Sequence, residues 1–465
     1  MERISVAPGE AIAEIFARWA CSINAATIPL EVRDAVTRSL VDHVGLAISA
    51  RAEPYVRAII ADWDGSGECM AFGHDRGFDA AGAALINGTA AHGEDYDDTF
   101  EGSPMHTGAV VIPAVLAVAQ RYKLSGEDIF RGIIAGIELM CRLAVVAPTA
   151  QHRAGFHPTA VAGTMASAAG VAVALRMNPS ETVNALGIAG SLSSGIIEYL
   201  AEGTWTKRLH PGWAAQSGIR AALLARNGFK GPRTVFEGQH GFFFAFSDPS
   251  IARDYSFLTR LPGDDWLSAR IAFKPYACGT MVQPFIDCAV RLSTRLHESD
   301  EITAIRCMVG EGTVHRLWEP LSEKRRPSTP YSAKFSVPYG VAVGLIDRAA
   351  GLRQFTSERI ADPRLLALTG LIGYEIDPLD EYPKNYTGHV QIHLADGRVL
   401  SERQSHLRGG VREPLSDEEI TLKYYANCAF GGMKRDSAKQ LLSALKGLFG
   451  PEGAEGLRGL RPEFD

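Results

Sequence analysis

Apolar residues recur every three or four positions through most of the first 265 residues. The pattern predicts helices over Glu10–Trp19, Leu30–Ile48, Ile129–Val145, Thr159–Leu175, Ser180–Ala189 and Trp213–Asn227. The punctuation between them has recognisable chemistry. Asn178-Pro179-Ser180 with Glu181 ends one helix and opens the next, and Asn227-Gly228 closes another at a residue that accepts positive φ. From Ala160 to Gly195 small residues dominate; Ala and Gly let two helix backbones approach closely, so these helices are expected at the centre of a large bundle.

Beyond about Asp264 the texture changes. Glu301–Val309 alternates like a strand, and His389–Leu394 and Arg398–Glu402 flank Ala395-Asp396-Gly397, whose Asp-Gly is a hairpin signal. Helical segments Ser336–Asp347 and Pro363–Leu371 lie between them, the second opened by Asp362-Pro363. Helical periodicity returns after Leu415: Ser416 and Glu419 form a capping-box pattern, and Lys434–Leu448 reads as a last amphipathic helix. The chain is therefore read as mainly α. A large all-helical domain is built from both chain ends, residues 1–268 and 409–465, and a smaller α+β domain, residues 269–408, is inserted.

Composition narrows the class. With 47 Lys+Arg against 53 Asp+Glu, a net charge of −6 and 46% hydrophobic residues, this is ordinary globular composition, which excludes a disordered chain or a disulfide-stapled mini-fold. No basic excess exists to neutralise phosphates or anionic lipid, so neither nucleic acid nor a membrane is an expected partner. Seven scattered cysteines without a C-x-x-C offer no zinc knuckle or close-spaced iron–sulfur set and fit buried thiols in a reducing cytoplasm. MERISVAPGEAIAEIF does not read as a signal peptide, and the most apolar stretches, Gly108–Ala119 and Thr159–Leu175, are shorter than the roughly 20 residues that span a bilayer. The dinucleotide fingerprint fails at Met70, and G-K-[ST], H-E-x-x-H and G-x-S-x-G are missing, so ordinary side chains must carry any chemistry.

Four segments could do so. His92-Gly93-Glu94-Asp95-Tyr96-Asp97-Asp98-Thr99 packs four carboxylates into five positions, with His106 close behind and ahead of a buried helix. Crowded acids shift each other's pKa, which favours an acid/base site; acids at a helix N-terminus and a divalent-metal cluster are the alternatives. Arg153-Ala154-Gly155-Phe156-His157-Pro158 puts an imidazole at the positive end of the following helix, either as a neutral base or as a plain cap. Gly203-Thr204-Trp205-Thr206-Lys207-Arg208-Leu209-His210 reads as a loop between buried helices. Lys207 there is placed to clamp a carboxylate, and a solvated turn is the alternative. Phe273-Lys274-Pro275-Tyr276-Ala277-Cys278-Gly279-Thr280 lies at the junction of the two expected domains, where Gly279 could offer backbone N–H groups; Cys278 is given no covalent role.

Taken in order, HGEDYDDT, GFHPTAVAGT, GTWTKRLHPGWAA with GFKGP, and FKPYACGT with AKFSVPY resemble the MmgE/PrpD family, whose members include 2-methylcitrate dehydratase, cis-aconitate decarboxylase and iminodisuccinate epimerase. The resemblance implies a helical domain assembled from both chain ends, a smaller α+β lid, and a homodimer. It also implies acid/base chemistry on a small di- or tricarboxylate with no metal or other cofactor. Carried over, the active-site positions fall on Asp95, Thr99, His106, His157, Lys207 and Lys274, with Arg153, Tyr276, Cys278 and Gly279 toward the substrate. Two departures stand out. The Thr99–His106 stretch is about one residue longer than in the decarboxylase pattern, and Gln283-Pro284 stands where many relatives have a histidine.

The expected mechanism has His157 as principal base and Asp95 orienting His106. His106 and Thr99 return the proton, and Lys207, Lys274 and Arg153 stabilise developing negative charge, at about 3–4 kcal/mol for one well-placed donor. Dehydration is the leading outcome, with epimerisation or decarboxylation as alternatives. A carboxylate-binding protein without catalysis is the reading from another class.

Overall fold

Helix boundaries follow the caps. The computed structural model describes residues 9–103, 105–261, 263, 265–382, 384–460 and 462–465. The start of the chain read above for a targeting signal, Pro104 and Asp264 lie outside the described residues. Two units divide the chain: a larger one of Met1–Gly93, Asp97–Ile271 and Asp417–Asp465, and a smaller one of Glu94–Tyr96 and Ala272–Ser416.

The larger unit contains α1 (Ile12–Cys21), α2 (Leu30–Ser49), α3 (Pro54–Asp62), α4 (Ala80–His92), α5 (Gly108–Tyr122), α6 (Gly126–Val146), α7 (Pro158–Ala174), α8 (Pro179–Leu192) and α9 (Thr206–Arg226). Asn178 and Glu181 form the reciprocal capping box that opens α8, and Pro158 and Pro179 occupy first turns, where the missing N–H costs nothing. Every residue of α7 is buried, so its Ala, Gly, Ser and Thr run is the centre of the bundle. Small residues also set the site. A Cβ on Gly88 of α4 would stand 2.7 Å from Cα of Gly212 on α9, and one on Gly212 would stand 2.2 Å from the Leu85 carbonyl oxygen. Only glycine permits that approach, which brings the end of α4, at His92, beside the first turns of α9.

α9 corrects the sequence reading. It begins at Thr206 rather than Trp213, so Lys207 and His210 lie on a helix, not in a loop. Pro211-Gly212 reads locally as a turn, yet Pro211 sits inside the helix. Burial of His210, Ala214, Ala215 and Ile219 outweighs the hydrogen bond the proline forfeits.

In the smaller unit, α10 (Gln283–Ser293) and α11 (Val337–Asp347) pack together, and α12 (Pro363–Gly370) packs on α11. β1 (Ile302–Val309), β2 (Ile372–Ile376), β3 (Gly388–Leu394) and β4 (Val399–Gln404) form one sheet in the order β2-β1-β3-β4. β1 runs parallel to β2, with Ile305 opposite Ile372, and antiparallel to β3, with Met308 opposite His389. Ile305, Cys307, Val309, Val390 and Ile392 face the core. The β3–β4 hairpin turns at Gly397, whose φ of +90° is the left-handed conformation that an Asp-Gly turn supplies. Finally α13 (Asp417–Phe430) and α14 (Arg435–Gly447) belong to the larger unit. Buried Lys423 of α13 pairs with buried Asp42 of α2 at 2.8 Å. Among the described residues no helix is long and apolar enough to cross a membrane.

Candidate active site

α4 ends at His92, and the acidic segment leaves it as a turn rather than entering a helix. That corrects the helix N-terminus reading for most of these acids. Asp98 alone serves such an end, accepting the backbone N–H of Gly108 at the start of α5 at 3.0 Å, with the Ser39 hydroxyl on its other oxygen. Burial pushes the Asp98 carboxyl up, while the Ser39 and Gly108 donors oppose the shift.

Asp97 is the carboxylate that meets the imidazoles. Its Oδ2 lies 2.8 Å from His92 Nδ1 and 3.3 Å from His106 Nδ1, all three side chains being buried. His106 Nδ1 also lies 2.8 Å from the Asp98 carbonyl oxygen. A carbonyl can only accept, so the hydrogen of neutral His106 sits on Nδ1 and the lone pair on Nε2. The His106 backbone N–H is held by Thr159 Oγ1 at 3.2 Å.

The rings continue inward. His92 and His106 stand 4.6 Å apart between centroids, His92 and His157 5.9 Å, and His157 and His210 5.2 Å. His157 caps α7 by position, but its side chain makes no capping bond; instead its Nδ1 lies 3.0 Å from Nδ1 of His210. The plain-cap alternative is thereby set aside.

Electrostatics keeps His92, His157 and His210 neutral. Burial pushes His92 down to about 4, with Asp97 pulling the other way, and burial with the charges of His92 and Lys207 holds His210 at about 4. Burial, then His210, His92 and Lys207, hold His157 well below the ordinary imidazole value. For Asp97, burial alone would raise the pKa, but the His106 and His92 imidazoles outweigh it and the carboxyl stays well below its usual range. By type and spacing His92, Asp97 and His106 could also take a divalent cation, since their ligand atoms lie within 4.8 Å of one another. The hydrogen that Asp98's carbonyl keeps on His106 Nδ1 favours the hydrogen-bonded arrangement.

In the smaller unit, buried Lys274 directs Nζ to the Asp95 carbonyl oxygen at 2.6 Å and to its carboxylate at 3.4 Å, and Tyr331 Oη reaches the other carboxylate oxygen at 3.4 Å. Asp95 takes φ +58°, a left-handed conformation that Asp tolerates better than most residues. Buried Lys334 similarly holds the Glu94 carbonyl and carboxylate at 2.6 and 2.5 Å, and Tyr96 Oη donates to the Pro275 carbonyl at 3.0 Å.

The larger unit therefore brings His106, His157 and Lys207 together, Lys207 being half-buried and close enough to disfavour protonation of three of the imidazoles. Thr99 is buried on the short strand Thr99–Phe100 of the same unit. Within the larger unit the carboxylate beside His106 is Asp97, rather than the expected Asp95, which in the smaller unit meets Lys274 and Tyr331. Arg153 is exposed. Tyr276 spends its hydroxyl on Asp287 at 2.8 Å, and burial holds that carboxyl up at about 6. The Gly279 N–H is taken by the Lys334 carbonyl at 2.9 Å, so it is not on offer to an anion as expected. Cys278 is a fully buried thiol whose burial pushes its pKa up. His92, Asp97 and His210 were not singled out from the sequence, although all three stand inside the segments that were.

Two family models account for most of the chain. The MmgE/PrpD N-terminal domain matches residues 14–253 and the MmgE/PrpD C-terminal domain residues 276–446. The chain belongs to the MmgE/PrpD family. This MmgE/PrpD protein is 29% identical to cis-aconitate decarboxylase of Homo sapiens over 382 residues, covering 79% of this chain and 76% of that protein. It is 26% identical to cis-aconitate decarboxylase of Aspergillus terreus over 431 residues, 87% of each. A cis-aconitate decarboxylase-like protein, oryM, of Aspergillus oryzae is 24% identical over 443 residues, covering 90% of this chain and 91% of that protein. These relatives place the MmgE/PrpD chain among enzymes, and none of the three is named a dehydratase, the activity first expected.

Proposed function

We propose that this protein decarboxylates a small tricarboxylate, with cis-aconitate as the candidate substrate. The observation that carries the proposal is the buried cluster of four imidazoles, His92, His106, His157 and His210, with one ionised carboxylate, Asp97, at its edge. The decarboxylases among its relatives support the same outcome.

Loss of carbon dioxide breaks one C–C bond and leaves the bonding pair on the carbon skeleton. In cis-aconitate that pair moves into the neighbouring C=C system, and one carbon must then take a proton. Each turnover thus releases one carbon dioxide and consumes one proton. A polyanionic substrate favours protonation of imidazoles that are neutral in the free site. His106 is assigned delivery of the proton to carbon, because Asp97 stands ready to stabilise its imidazolium. His157 is assigned the role of base, taking one proton from solvent and passing it through the imidazole cluster to replace the one His106 has given, so that each turnover consumes one proton in all. The Lys207 ammonium balances substrate charge from the first turn of α9, and Lys274 keeps Asp95 in place.

The test is incubation of the purified protein with cis-aconitate in heavy water, followed by proton NMR and carbon dioxide capture. The expected result is carbon dioxide release with one solvent deuterium on the product, and loss of both in His106→Asn and His157→Asn. Water addition or loss without carbon dioxide would point instead to a dehydratase, and inversion of a stereocentre to an epimerase. Binding with no exchange on any di- or tricarboxylate would leave a non-catalytic carboxylate binder.

A further inference from the structure

We infer that His210 is a positioning residue that fixes the tautomer of His157, holding the hydrogen on Nδ1 and leaving the Nε2 lone pair free to take a proton. The inference rests on the reading of His157 as the base. It begins from one contact. His157 Nδ1 and His210 Nδ1 lie 3.0 Å apart, and both side chains are buried. Two ring nitrogens at that distance share one hydrogen, so one ring donates and the other accepts, and the pair must hold opposite tautomers. With His157 as donor its Nε2 is a base; with His157 as acceptor its Nε2 carries the hydrogen and cannot be one.

Both partners are held rigidly from outside the ring contact. The His157 backbone N–H donates to the Gly195 carbonyl at 2.9 Å, and Ile197 N–H donates to the Gly155 carbonyl at 3.0 Å, so the residue is clamped on both sides. Gly195 adopts φ +123°; a Cβ there would stand 2.5 Å from Ala160 Cβ and 3.4 Å from the Cδ2–Nε2 edge of His210. The glycine therefore makes room for the His210 ring while its carbonyl fixes His157. Tyr199 flanks both rings, with centroids 6.0 Å from His157 and 5.8 Å from His210. His210 itself rides on α9 three residues after Lys207, so one helix face carries both the cation and the positioning ring.

When His157 takes a proton on Nε2, its Nδ1–H already points at the lone pair of His210, so the imidazolium forms against an acceptor in place. A neutral acceptor does this without the fixed negative charge that Asp97 presents to His106. The two proton-handling imidazoles of the site are thereby backed by different partners, a carboxylate for the one that gives and an imidazole for the one that receives.

The test compares His210→Leu, which removes the acceptor, with His210→Asn, whose Oδ1 stands near the place of Nδ1 and can accept the same hydrogen. Loss of a partner that orients a working imidazole costs about 10- to 100-fold, so His210→Leu is expected to lose that much in kcat with KM nearly unchanged. His210→Asn is expected to recover most of the loss. Nitrogen-15 NMR of histidine-labelled wild-type protein is expected to show His157 with its hydrogen on Nδ1. A hydrogen on Nε2 of His157 in that spectrum overturns the inference even if the leucine variant fails to fold. Wild-type kcat in a folded His210→Leu protein overturns it too. If His157→Asn is fully active, the base reading itself has failed; if His157→Asn is dead while His210→Leu turns over normally, only the role of His210 has.

Discussion

Replacing Asp97 by asparagine tests the arrangement most directly, because it removes one charge and changes almost no volume. In the native site the Asp97 carboxylate accepts from Nδ1 of His92 at 2.8 Å and faces Nδ1 of His106 at 3.3 Å. Both contacts fall on Oδ2, so an amide oxygen in its place can still accept from both rings, but it carries no charge to set against an imidazolium. When His106 takes a second proton, the ion pair it forms with Asp97 contributes about 5 kcal/mol at 3.3 Å and an effective dielectric constant near 20. The dipole of asparagine keeps part of that, so the expected loss is about 2–4 kcal/mol, or roughly 30- to 1000-fold in kcat. KM should change little. The assay is initial-rate carbon dioxide release from cis-aconitate across pH, with thermal unfolding as the folding control. A folded Asp97→Asn protein with kcat within about threefold of wild type would refute the assignment of Asp97 as the partner of the acid.

Three further outcomes follow from the same structure. Lys423→Met leaves Asp42 charged and buried with no cation, so it should cost about 3–5 kcal/mol in urea unfolding at pH 7. Burial already holds Asp42 at about 6 despite Lys423, and loss of the cation raises it further, so much of that cost should be recovered by the time pH has fallen to 6 and the carboxyl has taken a proton; a pH-independent loss would contradict this. The buried histidines set the wild-type response to acid. His43 is held at about 3 and His92 and His210 at about 4, in each case chiefly by burial. The unfolded chain binds these protons near pH 6.5, so their stabilising contribution is complete above that pH and is lost as pH falls toward 4. At about 1.4 kcal/mol per pKa unit each ring accounts for roughly 3–5 kcal/mol, comparable to the whole stability of a domain. Circular dichroism should therefore show unfolding in that window, and His43→Phe should move the midpoint to lower pH; an unmoved midpoint would rule His43 out as a contributor. Cys278, fully buried with its pKa raised by burial, should not be alkylated by iodoacetamide in the native state, and Cys278→Ala should keep kcat within about threefold. Time-dependent inactivation traced to Cys278 would overturn that.

What was legible in the sequence was local. Asn178 with Glu181, Pro158, Asp362-Pro363 and Gly397 each announce a boundary because the group they satisfy or the φ they adopt lies within a few residues. The helical character of the first half and the strand periods after residue 300 were equally plain, since one buried face imposes each pattern. The start of α9 was not, because Pro211-Gly212 carries a strong turn signal and the contact that overrules it is Gly88, more than a hundred residues away.

The same distinction explains the site. Four acids in five positions mark a functional segment, but the partner of each depends on where the chain turns, and Asp95 turns it through positive φ. Two positions along, Asp97 meets His92 and His106, while Asp95 itself goes to Lys274, 179 residues further on. Spacing could not separate them, because a residue in a turn has neither the three-to-four period of a helix nor the alternation of a strand to say which way its side chain points. His210 was hidden by the misplaced start of α9: in a loop it is one more polar residue, but on a helix it lies one turn from Lys207 and on the same face. A resemblance carries residues over one by one and says nothing of which hydrogen each holds. The hydrogen His106 holds follows instead from its neighbour, the Asp98 carbonyl, and the one inferred for His157 from its pairing with His210.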